Sequence, residues 1–443
     1  MNKHLLRTRS AIALGRLWLT FMLPVLFSVL AWSQEYTLTD LGTLGGSYST
    51  AVAVNNAGQV VGSAAIAGNG HNDPFLYSGG KMTDIWTGGT RFGATAVAIN
   101  NSGHIVVNYN LDAQGDTESF IDFGAVWADL GIGGATGMNA TDSVVGNSPN
   151  GYWVYRNGYL NTTPGYSIPG GGKALAYSIN DHGAIAGECP KADPYYGGQN
   201  GCIFGTGAPT VLQYANLGQA APFPPYAIAS NGDTCGMNGI SDFTTWSNNG
   251  TQTYAVSLNG YAACAGLDDY GTAVGWGEPS TWEDPLDGYI YDPINQLRDL
   301  NALVPHIFRK GHPISIHDAQ SISDTGYIAA NCAYNVTEPG AIYHACLLTP
   351  NWAAILRDSI VALTKGDPGC VQCKTELKPE AESLPSNFTD LSKAEWRKAE
   401  VTMEKIESQL AALGGGGQIN EQAYVLLAHD AEMASQALGR PER

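Results

Sequence analysis

Four carboxylates and a tryptophan are crowded into residues 278–287, and their types make this segment a candidate for chemistry. The carboxylates are Glu278, Glu283, Asp284 and Asp287, and the tryptophan is Trp282. Clustered carboxylate oxygens are ligands that Ca²⁺ prefers, and a carboxylate pair can cleave a glycosidic bond. The indole ring either stacks on a sugar or anchors the loop. The regular aspartate spacing of an EF-hand is absent, so we expect no cofactor, with Ca²⁺ as the alternative.

A second segment, residues 301–317, collects basic side chains in a region that is otherwise acidic. One interpretation is a contact for an anion or a sugar acid, and the other is a solvated loop whose charges pair with acidic neighbours. The histidine spacing matches no standard metal site. From both segments we predict binding residues, but assign no metal ligand and no catalytic residue. The predicted binding residues are Trp282, Glu283, Asp284, Asp287, Arg309, Lys310, His312 and His317.

The sequence lacks several common catalytic motifs. It has no Gly-x-Ser-x-Gly elbow, no His-Glu-x-x-His, no phosphate loop and no dinucleotide fingerprint. This weighs against common hydrolases and nucleotide-dependent enzymes. It leaves open an enzyme whose active site is assembled from several separate loops.

The elements that must position these segments are seven copies of one strand–turn–strand pattern. The copies begin at Ala51, Ala96, Ala135, Ala176, Pro225, Cys264 and Ala319. Each has an aliphatic residue four positions before a turn residue, which is glycine in six copies and Asp142 in the third. Glycine takes the positive φ that such a turn requires. The turns recur every 45 residues or so, about the length of a four-stranded propeller blade.

The two ends of this array complement each other. The seventh copy stops at Pro350 after its third strand, whereas an unpaired strand, residues 36–41, precedes the first copy. That strand is similar to the fourth strands of other copies, such as residues 82–85. We therefore predict an all-β fold, a seven-bladed β-propeller over residues 34–350 that its N-terminal strand closes. A β-solenoid is the alternative.

In this layout both tight turns of every blade lie on one side of the disc, which we call the turn face. The longer connections, between second and third strands and between successive blades, lie on the opposite side, the loop face. Residues 278–287 and 301–317 both belong to the loop face. Binding sites are concentrated in such variable loops.

The first copy resembles a known repeat. Residues 40–64, DLGTLGGSYSTAVAVNNAGQVVGSA, and residues 74–85, PFLYSGGKMTDI, are similar to the HAF repeat of extracellular bacterial proteins. The resemblance covers residues 36–350, with the third, fifth and seventh copies degraded. It implies an exported repeat protein, and it supplies no catalytic residues because the motif is structural.

All eight cysteines follow the N-terminal segment, and their even number favours disulfides. Cys189 with Cys202, and Cys332 with Cys346, occupy equivalent places in two copies, so we predict that each pair closes a loop between the second and third strands. Cys235 and Cys264 are either a bridge between neighbouring blades or buried thiols. Cys370 and Cys373 form a Cys-x-x-Cys in a linker, where a local disulfide is favoured over redox chemistry.

The N-terminal residues 1–33 read as a secretory signal peptide, with a basic start, an apolar run and small residues at Ala31 and Ser33. A retained membrane anchor is the alternative. With 40 acidic against 22 basic residues, the chain is a poor partner for nucleic acid or an anionic membrane. We expect a secreted or periplasmic protein that is not inserted in a membrane once the signal is cleaved.

The C-terminal part differs in composition from the repeats. Residues 351–388 read as a helix and a Cys-x-x-Cys linker, and residues 389–443 as a helical hairpin. Ser392 and Glu395 form a capping box for its first helix, and Asn420 caps the second. The hairpin either packs on the helix near Trp352 or provides a surface for self-association.

Two functions are consistent with these patterns. The first is a binding scaffold for an extracellular glycan or protein, which uses the loop face. The second is a carbohydrate-active hydrolase or lyase that uses carboxylates of the same face. The sequence favours the scaffold over the enzyme.

Overall fold

A computed structural model describes residues 34–439, apart from short gaps. The gaps are 69, 87–92, 112–115, 125, 163–172, 191–198, 206–207, 214–223, 238–241, 259–260, 279–285, 306–307, 310–311, 335–341, 367–369 and 371. The predicted signal peptide, residues 1–33, lies outside the described residues. No helix among the described residues is long and apolar enough to cross a membrane.

The strands form seven antiparallel sheets, which confirms the predicted seven-bladed propeller. After β1 (Tyr36–Asp40), blade one contains β2 (Gly45–Val54), β3 (Val60–Ile66), β4 (Asn72–Ser78) and β5 (Lys81–Asp84). Blade two contains β6 (Ala94–Ile99), β7 (Ile105–Asn110), β8 (Thr117–Asp122) and β9 (Trp127–Ile132). Blade three contains β10 (Gly134–Met138), β11 (Val144–Ser148), β12 (Gly151–Arg156) and β13 (Tyr159–Asn161). Blade four contains β14 (Leu175–Ile179), β15 (Ile185–Pro190), β16 (Gln199–Phe204) and β17 (Thr210–Val211).

The remaining blades follow the same plan. Blade five contains β18 (Pro225–Ile228), β19 (Thr234–Met237), β20 (Asp242–Trp246) and β21 (Gln252–Ser257). Blade six contains β22 (Ala262–Leu267), β23 (Ala273–Gly277), β24 (Asp287–Asp292) and β25 (Gln296–Asp299), followed by a 3₁₀ turn, Leu300–Ala302. Blade seven contains β27 (His312–Ile322), β28 (Ile328–Tyr334) and β29 (Ile342–Pro350), with β26 (Phe308–Arg309) at its edge.

The ring closes as predicted. β1 pairs antiparallel with β29, from Tyr36 opposite Pro350 to Asp40 opposite Cys346, and so supplies the fourth strand of blade seven. Apolar side chains of blades one and seven then share one buried cluster. The backbone N–H of Ala51 donates to Oδ1 of Asn331 across this seam, at 2.8 Å.

Every inner strand contains a β-bulge at the same place. In each copy, five consecutive residues end at the aliphatic residue that precedes the turn. The pairing register with the second strand of the blade shifts between the second and the fourth of these five residues. The bulged residues are Val52, Val97, Thr136, Tyr177, Tyr226, Ala265 and Gln320, and all seven are half-buried. Because inner strands converge on the propeller axis, these residues line the axial channel. At Gly266 a Cβ would lie 2.9 Å from the Ser321 backbone, which explains why only small residues follow the bulge.

The turn face is held by a chain of asparagines. Asn55 donates to the carbonyl of Asn100, Asn100 to that of Asn139, Asn139 to that of Asn180, and Asn180 to that of Ala229. Each asparagine stands directly after the aliphatic residue of its repeat and links its blade to the next. In blades five, six and seven the same position carries Ala229, Asp268 and Ser323, none of which has an amide side chain.

Among the described residues after Pro350, four α-helices follow the propeller. They are α1 (Trp352–Gly366), α2 (Lys378–Ser383) after a π-helical turn (Cys373–Leu377), α3 (Lys393–Gly415) and α4 (Glu421–Leu438). The predicted linker is therefore largely helical between Cys373 and Ser383. The capping box of Ser392 and Glu395 and the Asn420 cap are present. α4 packs on α1 and against the turn face of blades six and seven, where its His429 ring stacks on Tyr270 at 3.5 Å.

All four predicted disulfides are present. The Cα–Cα distances are 5.9 Å for Cys189–Cys202, 5.6 Å for Cys235–Cys264, 6.0 Å for Cys332–Cys346 and 5.3 Å for Cys370–Cys373. The prediction that the first and third bridges close the ends of loops is wrong. Both lie inside a strand ladder that continues beyond them, since Pro190 still pairs with Gln199 and Tyr334 with Ile342.

Candidate functional site

The structure describes only part of the residues predicted from sequence. Trp282, Glu283, Asp284 and Lys310 lie outside the described residues. Arg309 and His312 are paired in the β26–β27 ladder, so both belong to strands rather than to the expected loop. Asp287 begins β24, and His317 lies within β27.

One asparagine brings the Asp287 and His317 segments together. The Asn301 side chain donates to Asp287 Oδ1 and to the Ile316 carbonyl, both at 3.2 Å, and accepts from the Ile316 N–H at 2.7 Å. Asp287 therefore helps to hold blade six against the first half of β27. Among the described residues, no three metal-ligating side chains are grouped so that they could hold an ion.

His317 forms a dyad with a carboxylate at the loop-face end of blade seven. Its Nδ1 lies 2.8 Å from Asp318 Oδ2, while Asp318 Oδ1 accepts from Gln320 and from Asn331, each at 2.7 Å. The Tyr343 ring packs against the imidazole at 4.9 Å. Because a carboxylate only accepts, Nδ1 is the donor of this pair. The dyad is thus held in one orientation by three neighbouring side chains.

The second strand of three blades carries an asparagine that clamps the next blade. Asn108 accepts from the N–H of Ala135 and donates to its carbonyl, at 3.0 and 2.9 Å. Asn147 does the same with Ala176, at 2.9 and 2.8 Å. Asn331 accepts from the N–H of Ala51. These side chains therefore hold blades together and are not available for a ligand.

Blade four departs from this pattern at Glu188. The residue pairs with Leu175 in the same register in which Asn331 pairs with Asp318. The residue that a clamp would grip in blade five is Pro225, which has no N–H to donate. The carboxyl is consequently free of the structural role that asparagine has in the other three blades.

Instead, Glu188 faces two tyrosines at the axial channel. The Tyr177 hydroxyl donates to its carboxyl, and the Tyr226 ring lies edge-on to Tyr177 at 5.8 Å. Both tyrosines are bulged residues of neighbouring inner strands. Burial raises the pKa of Glu188 above its usual value, although the Tyr177 hydrogen bond opposes the shift. Burial, reinforced by Glu188, also raises the pKa of both tyrosines.

The Glu188 group lies on blades four and five, and the His317–Asp318 dyad lies on blade seven. A disulfide follows each directly, at Cys189 after Glu188 and at Cys332 after Asn331. These bridges fix the strands that carry the site. We call the site formed by Tyr177, Glu188, Tyr226, His317 and Asp318 the channel-mouth site.

Sequence reasoning found His317 and missed the other four residues. Tyr177 and Tyr226 occupy equivalent positions in the repeat, where other copies have small, aliphatic or amide residues. Glu188 stands where blades two, three and seven have an asparagine, and Pro225 stands where the other blades have alanine or cysteine. An alignment of the repeats by strand, rather than by turn, would have exposed these exceptions.

A second polar cluster is buried between the turn face and the helices. Arg298 forms ion pairs with Glu35 and with Asp292, the latter at 3.0 Å. Burial raises the pKa of Glu35 to about 7 and that of Asp268 to about 8, and raises that of Asp430 strongly. One arginine therefore faces more carboxyls than it can neutralise, so part of the cluster is held in the protonated form.

The comparisons with known proteins give little further guidance. No family model matches the chain, and no curated protein matches it in sequence. The extracellular domain of a protein described as a one-component system of B. thetaiotaomicron is 12% identical, with a TM-score of 0.41. An acylaminoacyl peptidase is 11% identical, with a TM-score of 0.36. A gluconolactonase of Xanthomonas campestris is 11% identical, with a TM-score of 0.32.

These similarities cover 71%, 65% and 73% of this chain respectively. The chain spans only 40% and 51% of the first two structures, and 92% of the third. At such TM-scores the likeness carries no argument about ligand or activity. The propeller assignment rests on the sheet topology of the chain itself.

Proposed function

We propose that this protein is an exported binding scaffold that takes a saccharide at the channel-mouth site of its loop face. The observation that carries the proposal is the release of Glu188 from the blade-clamping role, beside two tyrosines of blades four and five. We propose that the His317–Asp318 dyad of blade seven contributes from the same face. Glu188 does not clamp the next blade, and a few polar groups beside aromatic rings are a usual make-up of a ligand site.

The chemistry of the site favours a sugar over other ligands. Tyrosine rings offer flat apolar faces with a polar tip, and the carboxyl and imidazole groups can bind hydroxyls in fixed directions. The strong excess of acidic residues disfavours nucleic acid. A protein partner at the same face is the competing outcome of the test below.

Export is supported by the disulfides. Four bridges persist only in an oxidising compartment, which for this chain means the periplasm or the exterior of the cell. The predicted signal peptide agrees with this location. Self-association through the C-terminal helices remains a separate proposal that the channel-mouth site does not require.

The experiment is a glycan array with the oxidised protein, followed by calorimetry on the best ligands. We expect Glu188→Gln and His317→Ala each to weaken binding about tenfold or more, by removal of a directed hydrogen bond to the ligand. Glu118→Gln, on β8 of blade two, is the matched control and should bind as the parent does. Parent-like binding by both channel-mouth variants would refute the proposal.

One feature favours the hydrolase or lyase as a second candidate. A carboxyl whose pKa is raised by burial is suited to act as a general acid on a glycosidic oxygen. The glycans that bind should therefore also be screened for cleavage. Turnover that Glu188→Gln abolishes, with binding retained, would establish the enzyme in place of the scaffold.

A further inference from the structure

Glu188 is a carboxyl for which the described residues provide no basic partner. Among the described residues, no lysine, arginine or histidine forms an ion pair with it, and its hydrogen-bond partner is the neutral Tyr177 hydroxyl. A partly buried carboxylate loses hydration that a neutral hydroxyl replaces only in part. A ligand that brings a positive charge would supply the missing compensation.

The two tyrosines make the same pocket favourable for a cation. Tyr177 and Tyr226 meet at an interplanar angle of 77°, so that one ring forms a wall and the other an edge beside the carboxyl. The face of an aromatic ring attracts a cation through its quadrupole, and the attraction grows as water is excluded. A carboxylate next to tyrosine rings is thus a suitable setting for an ammonium group.

Among the described residues, the hydrogen-bond partner of Glu188 is a side chain of its own blade and not the backbone of the next blade. In the three blades with a clamp, the side chain equivalent to Glu188 bonds the backbone of the next blade. Here the blade-five partner is Pro225, and Cys189 is held in a disulfide directly after the carboxyl. The carboxyl is held by the Tyr177 hydroxyl instead of by the backbone of the next blade.

We infer that the pocket of Tyr177, Glu188 and Tyr226 recognises a protonated amine, so that the saccharide bound at the channel mouth is one with a free amino group. This inference rests on the proposed function for the saccharide, but not for the ammonium group itself. A hydroxyl or an acetamido group at the same place would leave the carboxylate uncompensated.

The first test compares two matched oligosaccharides by calorimetry, a glucosamine tetramer and its fully N-acetylated form. We expect the parent protein to prefer the free amine about tenfold, which corresponds to about 1.4 kcal/mol. Glu188→Gln should abolish that preference and keep the fold, since glutamine has the same size. Glu118→Gln should retain the preference.

The second test needs no saccharide. Methylammonium is titrated while the NMR signals of Tyr177 and Tyr226 are followed, with methanol as the neutral probe of similar size. We expect shifts with methylammonium that methanol does not produce and that Glu188→Gln removes, because only the cation compensates the carboxylate. Tyr226→Leu should weaken the response without removing it.

The outcomes separate this inference from the proposed function. Equal binding of the two tetramers, weakened equally by Glu188→Gln, would overturn the ammonium pocket and leave a saccharide site. Methylammonium shifts that depend on Glu188, with no binding of either tetramer, would support the pocket and count against the saccharide. Shifts that are absent, or unchanged in Glu188→Gln, would overturn the inference whatever the sugars do.

Discussion

Replacement of Asp268 by asparagine should remove much of the pH dependence of stability. Asp268 stands in blade six where Asn55, Asn100, Asn139 and Asn180 stand in blades one to four. Its Oδ1 accepts from the N–H groups of Tyr270 and Thr272, at 2.9 and 2.7 Å, just as Asn55 Oδ1 accepts within its own turn. Its second oxygen corresponds to the asparagine amide nitrogen, which is a donor in blades one to four.

The magnitude follows from the pKa of this buried carboxyl. Burial raises it from 3.8 to about 8 in the folded protein. The folded state therefore keeps a proton that the unfolded state releases, and stability falls as pH rises from about 4 to about 8. Each pH unit in this range lowers the free energy of unfolding by about 1.4 kcal/mol, so the three units from pH 5 to pH 8 lower it by about 4 kcal/mol. Asparagine carries no such proton.

The assay is urea unfolding of the parent protein and Asp268→Asn at pH 5, 7 and 9. We expect the free energy of unfolding of the variant to rise relative to that of the parent by about 4 kcal/mol between pH 5 and pH 9. Most of this relative increase should be complete by pH 8. A residual slope should remain, because burial also raises the pKa of Glu35 to about 7. Asp129→Asn, at an exposed position of β9, is the control and should follow the parent. Parallel profiles for the parent and Asp268→Asn would refute the reasoning.

Three further predictions test the closure, the disulfides and the clamps. Deletion of residues 36–41 should expose the edge of β29 and cause aggregation, measured by light scattering and thermal melting; unchanged solubility and melting would show that β1 does not close the ring. Peptide mapping without reductant should find Cys189 linked to Cys202 and Cys332 to Cys346, and loss of either bridge should cost on the order of 3 kcal/mol in urea unfolding; any other pairing would contradict the register of blades four and seven. The double variant Glu188→Asn, Pro225→Ala should restore the missing clamp and raise the free energy of unfolding by about 1 kcal/mol while ligand binding is lost; a destabilised variant would count against the comparison with Asn147.

The propeller could be predicted from sequence because its signals are local and repeated. The turn glycines need a positive φ, and the structure gives Gly58 a φ of 70° and Gly326 one of 76°. Asp142 adopts the same conformation with a φ of 59°, so the third copy keeps the turn without the glycine. The closing strand was recognisable because β1 has the pattern of a fourth strand and no partner nearby in sequence.

The channel-mouth site was harder to predict because it depends on exceptions to the repeat. His317 drew attention as a basic residue in an acidic region, but its partner Asp318 becomes evident only when β27 is extended to its observed length. The absence of a clamp at Glu188 is evident only when the residue is considered together with Pro225, which lies in blade five. Contacts between blades join residues that are far apart in sequence, and no local sequence pattern predicts them.

The buried carboxyls beneath the helices show a different limit. Asp268 and Asp430 look like ordinary surface residues in the sequence, since one lies in a turn and the other on a helix with a polar face. Both are almost fully buried because α4 lies across the turn face. Their raised pKa values result from the packing of α4 on the turn face, so neither segment of the sequence predicts them alone.

The pairing of β1 with β29 also sets an order of events during synthesis. A polypeptide emerges from its N-terminus, whether from the ribosome or through a membrane, so the closing strand appears first and its partner only after six blades have followed. Until then β1 has no strand beside it and blade seven does not exist. The last step in ring assembly therefore pairs the strand of the propeller that is synthesised first with the one that is synthesised last. A chain that ends before Pro350 cannot form the complete β1–β29 pairing that closes the ring.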